Sequence, residues 1–126
     1  MLRLTIPGAP RTKKNHGQIV RANGRKPSML PSKQWRAWSD AVSPRIRSAL
    51  ATAGMAPISY PVNCRAIFYR DANRGDAVGY YQGLADVLEK AGVVTNDVCI
   101  TTWDGSRLRN DAANPRVEIE LTRAED

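Results

Sequence analysis

Apolar and polar positions alternate in residues 2–6 (LRLTI) and stop at Pro7-Gly8, which predicts a first strand. Residues 7–31 lose that order. They hold Pro, Gly, Asn and six basic residues, with Asn23-Gly24 between two short apolar pieces, a composition that favours a basic hairpin or loop. From residue 31 the period changes. Trp35, Trp38, Val42, Ile46 and Ala49 recur at three- and four-residue steps, the mark of one helix face, with Ser32 as N-cap and Gly54 as the stop. Pro44 falls inside this pattern and predicts either a kink or a restart with Ser43 as a new cap. Residues 58–70 (ISYPVNCRAIFYR) read as a strand with Pro61 near its start. A polar turn follows at 71–75.

A second helix is predicted over residues 77–91, with Leu84, Val87 and Leu88 as its buried stripe and Gly92 at the left-handed C-cap position. Residues 98–103 (VCITTW) predict a third strand, Asp104-Gly105 a turn, and 116–122 (RVEIELT) a fourth strand with strict alternation. The expected architecture is α+β: a small mixed sheet of about four strands, two helices on one face, and a basic N-terminal hairpin or loop. Residues 1–126 suffice for one domain.

Composition changes this picture in one respect. The net charge is +7, and residues 1–39 hold nine Lys or Arg and no acid, whereas the rest of the chain holds ten basic and twelve acidic residues. A basic block of this kind neutralises phosphates and releases their counterions, so nucleic acid is the expected partner. The other reading is a solvated basic face. No apolar run reaches about 18 residues and the N-terminus lacks a signal-peptide core, so the expectation is a cytoplasmic protein without a membrane span. Cys64 and Cys99 have no Cys/His cluster around them, which argues for reduced thiols rather than zinc.

Several segments taken together resemble the RusA family of Holliday junction resolvases and its phage relatives. They are PRTKKN followed by MLPSKQWRAW, RGD before the second helix, DVLEKAGVVTND from the end of that helix onward, and the tail DGSRLRNDAANPRVEIEL. The resemblance implies a homodimeric, Mg²⁺-dependent endodeoxyribonuclease acting on branched DNA, with Mn²⁺ as the alternative ion. The better-known members carry Asp-x-Asp-Asn and then a Lys. Here that stretch is Asp76-Ala77-Val78-Gly79, with Gln82 at the Lys position, and the final acid is Asp97, preceded by Asn96.

The expected catalytic and metal-binding carboxylates are therefore Asp76 and Asp97, with Asp71 or Asp104 as a further ligand. One or two carboxylates suffice for one Mg²⁺ when water and substrate phosphate fill the octahedron. Asp86, ten residues into the helix, is too far from Asp76 to share an ion and is expected to be structural. Asp76 is also an ordinary helix N-terminal acid, favoured by the dipole. The candidate DNA contacts are Lys13, Lys14, Asn15, Arg21, Arg25, Lys26, Lys33 and Arg74. His16, the lone histidine, reads as a loop residue, and Trp35 and Trp38 as core or dimer interface. Two rival readings stay open: a RusA-like DNA-binding protein with a weakened site, and a small basic RNA-binding protein.

Overall fold

The computed structural model describes residues 1–13, 18–20, 28–30 and 32–124. Lys14, Asn15, His16, Arg21, Arg25 and Lys26, and the Asn23-Gly24 turn, lie outside the described residues. Strand β1 (Leu2–Pro7) opens the chain, and β2 (Gln18–Val20) pairs antiparallel with β3 (Ser28–Leu30) as a separate ribbon. There follow α1 (Lys33–Thr52), β4 (Val62–Arg70), α2 (Ala77–Lys90), a 3-10 turn (Asp97–Cys99), β5 (Ile100–Thr102), β6 (Arg107–Asn110) and β7 (Arg116–Arg123).

The main sheet is mixed and five-stranded. Its order is β1-β7-β4-β5, with β6 on the same edge of β4 as β5. β7 is antiparallel to both β1 and β4, while β5 and β6 run parallel to β4. Register sorts the faces cleanly. Leu2, Leu4 and Ile6 lie level with Leu121, Ile119 and Val117, and these with Cys64, Ala66 and Phe68. That face and both helices build one core, in which Leu84, Val87 and Leu88 are fully buried. Burying side chains of this size contributes about 1.5–3 kcal/mol each.

The strand that sequence patterning did not anticipate is β6. Its residues RLRN contain one apolar position, Leu108, too short an alternation to register. Nor does the strand expected at 58–70 begin at Ile58. Ile58 makes an isolated bridge to Val94, and β4 starts after Pro61, which has no N–H to offer a ladder. The strand expected at 98–103 is shortened likewise, because Asp97–Cys99 winds into the 3-10 turn.

Between β5 and β6 the chain leaves β4 for a turn, and Ser106 fills the gap. Its hydroxyl accepts from the Ala66 amide (2.9 Å) and donates to the Cys64 carbonyl (3.0 Å).

α1 continues through Pro44 as one helix, so the predicted restart does not occur. The Ser43 hydroxyl folds back onto the Ser39 carbonyl at 2.7 Å. The Trp35 indole donates to the Gly83 carbonyl, and Arg47 to the Lys90 carbonyl, so the two helices run in the same sense. Their N-termini therefore share the end of the molecule where β4 finishes at Arg70. Among the described residues, no helix is long and apolar enough to cross a membrane.

Candidate nucleic-acid site at the mouth of the second helix

β4 delivers Arg70 to the rim of the core, where the side chain is 8% exposed. Its guanidinium donates to Asn110 Oδ1 (3.1 Å), Asn73 Oδ1 (3.0 Å) and the carbonyls of Arg74 and Gly75. One buried fork thus ties the loop 71–75 to β6. The Tyr80 hydroxyl adds a bond to the Arg74 carbonyl (2.8 Å). Burial pushes the Tyr80 phenol above its ordinary value, with Asp71 adding to the rise and Arg70, Arg11 and Arg74 opposing it.

The braced loop ends in Asp76, the N-cap of α2. Asp76 Oδ1 accepts from the Gly79 amide at 2.8 Å, and its other carboxylate oxygen has no partner among the described residues. Gly79 is demanded here, since a Cβ would lie 2.7 Å from Asp76 Oδ1 and 3.2 Å from Thr12 Cγ2. Thr12 also packs on Gly75, and its carbonyl accepts from the Ser32 hydroxyl at the start of α1. The segment leaving β1 is therefore pinned between the two helix N-termini.

Asp71 Oδ2 faces Arg74 (3.1 Å) and Arg11 (3.5 Å). A cleft of about 100 Å³, lined by Arg11, Thr12, Ser32, Gln34, Arg74 and Tyr80 among others, opens beside them.

Lys13 lies on the flank of α2, paired with Asp86 at 2.7 Å and 5.3 Å above the Trp35 ring. This gives Asp86 the structural role expected for it. Lys33, the first residue of α1, is exposed and makes no ion pair among the described residues. Val78 is 59% exposed and Gln82 is also exposed, one helical turn further along the same face. Two of the three positions where the RusA-like pattern departs, Val78 and Gln82, thus lie on one exposed face near the start of α2, while the third, Gly79, is buried. Trp35 and Trp38 are core, Tyr80 is buried, and Tyr81 stacks on Trp103 with ring centroids 4.7 Å apart.

The structure does not bring Asp97 to Asp76 within one chain. The Asp97 amide donates to Glu89 Oε1 at 2.9 Å, which places the 3-10 turn at the C-terminal end of α2. Glu89 is thirteen residues past Asp76, ~20 Å along a helix axis. A second ruler agrees: β5 starts level with Val62 at one end of β4, and Asp71 follows Arg70 at the other, ~26 Å away.

Asn96 caps its own turn by accepting from the Val98 amide. Asp104 is held at the Asp97 end, its amide on Asn63 Oδ1 at 2.8 Å. Among the described residues, no group of three or more His, Cys, Asp or Glu is placed to hold a metal ion.

Arg70 and Thr12 escaped the sequence reading. Arg70 had a signal, because it continues the inward alternation of Ala66 and Phe68 with a charged residue. In comparisons with known proteins, no family model and no curated protein matches the chain.

Proposed function

We propose that the chain is a RusA-like, Mg²⁺-dependent endodeoxyribonuclease that acts as a homodimer on Holliday junctions or other branched DNA. The reading fits the cytoplasm of a bacterial or phage-infected cell. The observation that supports it most is the exposed Asp76 carboxylate at the N-terminus of α2, at the end of the loop whose Asp71 pairs with Arg11 and Arg74, where the acid-free N-terminal segment meets both helices. Among the described residues, Asp76 and Asp71 each keep one carboxylate oxygen without a partner, and they are the residues that would hold the ion. Bound there, Mg²⁺ supplies an activated water and charge stabilisation at the leaving oxygen. Arg11 and Arg74 exchange Asp71 for the scissile phosphate, a charge-assisted contact for which a guanidinium is suited. If Asp97 takes part, it comes from the second copy, since one chain holds it ~20 Å from Asp76.

A specific observation favours the second reading, a DNA-binding protein without catalysis: Val78 and Gln82 occupy the exposed positions beside Asp76 where relatives carry an acid and a cation.

The deciding experiment is cleavage of a synthetic four-way junction in Mg²⁺ or Mn²⁺. Wild type is expected to cut, and Asp76→Asn to bind without cutting. Mixing Asp76→Asn with Asp97→Asn restores activity only when the two acids act across the dimer. Binding without cleavage by wild type establishes the second reading. Preference for structured RNA over junction DNA refutes both.

A further inference from the structure

The sheet face turned away from the helices carries charged side chains around a buried Ile67, and its charges are not evenly spent. On it, Arg65, Ile67 and Tyr69 of β4 lie level with Glu120, Glu118 and Arg116 of β7, and Arg3 lies level with Glu120. The acids of β7 are engaged. Arg3 holds Glu120 at 2.8 Å, and Arg116 holds both Asp111 (3.0 Å) and Glu118 (3.1 Å) while its guanidinium stacks 3.8 Å from the Tyr69 ring.

On the other side of β4 the balance differs. Parallel pairing sets Arg107 beside Ile67 and Arg109 beside Tyr69, which puts both on this face with Arg65. Arg65, Arg107 and Arg109 are exposed, and none has an ion-pair partner among the described residues. Glu120, the cross-strand neighbour of Arg65, is already taken by Arg3, and Asp104 lies in the turn that leads into the patch.

The patch is also held in place. Arg65 lies against Gly105, where a Cβ would be 3.0 Å from Arg65 Cδ and 3.1 Å from Nε, and Gly105 has φ +84°. Ser106 fastens the same turn to β4 through Ala66 and Cys64. Arg107 and Arg109, two residues apart on a strand, project ~7 Å from each other.

We propose that Arg65, Arg107 and Arg109 form a second contact surface for a nucleic-acid backbone, separate from the site at the mouth of α2. The proposal rests on the DNA-binding reading above and adds to it. The described cations of the first site, Arg11, Lys13, Lys33 and Arg74, belong to the helix N-termini and the loops around them, whereas the three arginines lie on the far face of the sheet. Guanidinium groups without internal partners suit phosphate oxygens, which accept two parallel bonds from one fork. A depression of about 580 Å³ shares Arg65 with the patch but is otherwise lined by Arg3, Glu118 and Glu120 among others, so the phosphate track runs from Arg65 along β6 and away from the acids of β7. A branched DNA, with more than one duplex arm, is the partner able to meet two faces of a small protein.

The test is Arg65→Gln/Arg107→Gln/Arg109→Gln in one chain, with four-way-junction affinity measured over a salt series. All three residues are exposed, so the melting temperature serves as a folding control. The expected result is weaker junction binding, with the slope of log K against log salt flattened by about 2 to 3. The triple Arg→Lys variant is expected to keep most of the slope. An unchanged slope overturns the proposal, and so does a variant that loses its dimer mass in light scattering, which would assign the face to self-association. Wild type that fails to bind junctions refutes the DNA reading itself, an outcome distinct from a silent triple variant.

Discussion

Arg70→Met isolates the brace beneath the candidate site. The apolar side chain fills most of the arginine volume and removes the fork. Four acceptors lose the Arg70 donor, the side chains of Asn110 and Asn73 at 3.1 and 3.0 Å and the carbonyls of Arg74 and Gly75 at 3.3 and 3.4 Å, though the Arg74 carbonyl keeps the Tyr80 hydroxyl at 2.8 Å. Bonds from a charged donor are worth about 1.5–3 kcal/mol each, but only the two shorter ones merit that weight. Asn73, Arg74, Gly75 and Asn110 are exposed, so water replaces part of the loss. Relief of a desolvated guanidinium offsets more of it. The balance is a destabilisation of about 2–3 kcal/mol. For a chain of 126 residues that corresponds to a fall of roughly 8–11 °C in melting temperature. Calorimetry or circular dichroism reads the shift directly. Amide exchange at Gly79, whose N–H is held by the Asp76 cap, reports whether the loop loosens with it. A shift under ~2 °C with Gly79 protection intact would refute the argument that Arg70 braces the site.

Asp76→Ala should cost about 1 kcal/mol through loss of the cap, whereas Asp76→Asn keeps an oxygen for the Gly79 amide and should melt near wild type; denaturant titration separates the two. Gly79→Ala should destabilise despite better helix propensity, because the new Cβ sits 2.7 Å from Asp76 Oδ1, and a raised melting temperature would contradict this. Burial pushes the Cys64 thiol up to about 12, so a thiol reagent at pH 8 should modify one group quickly, Cys99, and Cys64 only on unfolding. The same shift fixes a pH dependence. The folded thiol stays neutral while the unfolded one ionises from the ordinary value of 9.0, so the contribution of Cys64 is fully present below that pH. It declines by up to ~1.4 kcal/mol per pH unit as pH rises toward the folded value, which urea unfolding at pH 8 and pH 10 would detect.

Most of the layout was legible in local patterns, since those patterns record burial. Trp35, Trp38, Val42 and Ile46 make the inner face of α1, Leu84, Val87 and Leu88 that of α2, and the alternation of residues 116–122 survives in β7. β6 was hidden because an edge strand with arginines on its open face buries little. Its place is set by four parallel pairings to β4, long-range contacts that no window of sequence contains. The same limit applies to Arg70, whose four acceptors come from the loop just after it and from a strand residue forty positions further along the chain.

The acids show where local reading ends and geometry takes over. Asp76 and Asp97 bracket α2 in sequence, and a short loop at each end makes them look like neighbours across a turn. A helix of fourteen residues is a rigid spacer, however, and here the chain leaves it at Gly92, whose φ is +79°. A loop joined to its C-terminal end therefore starts ~20 Å from its N-cap. The Glu89 side chain then fixes Asp97 at that far end through the Asp97 amide. Pairing the two carboxylates on one ion consequently needs either a second copy or the loss of α2 itself, and only the first is compatible with the buried Leu84, Val87 and Leu88. Chemistry at Asp76 that persists in Asp97→Asn would instead assign the ion to Asp76 and Asp71 of a single chain.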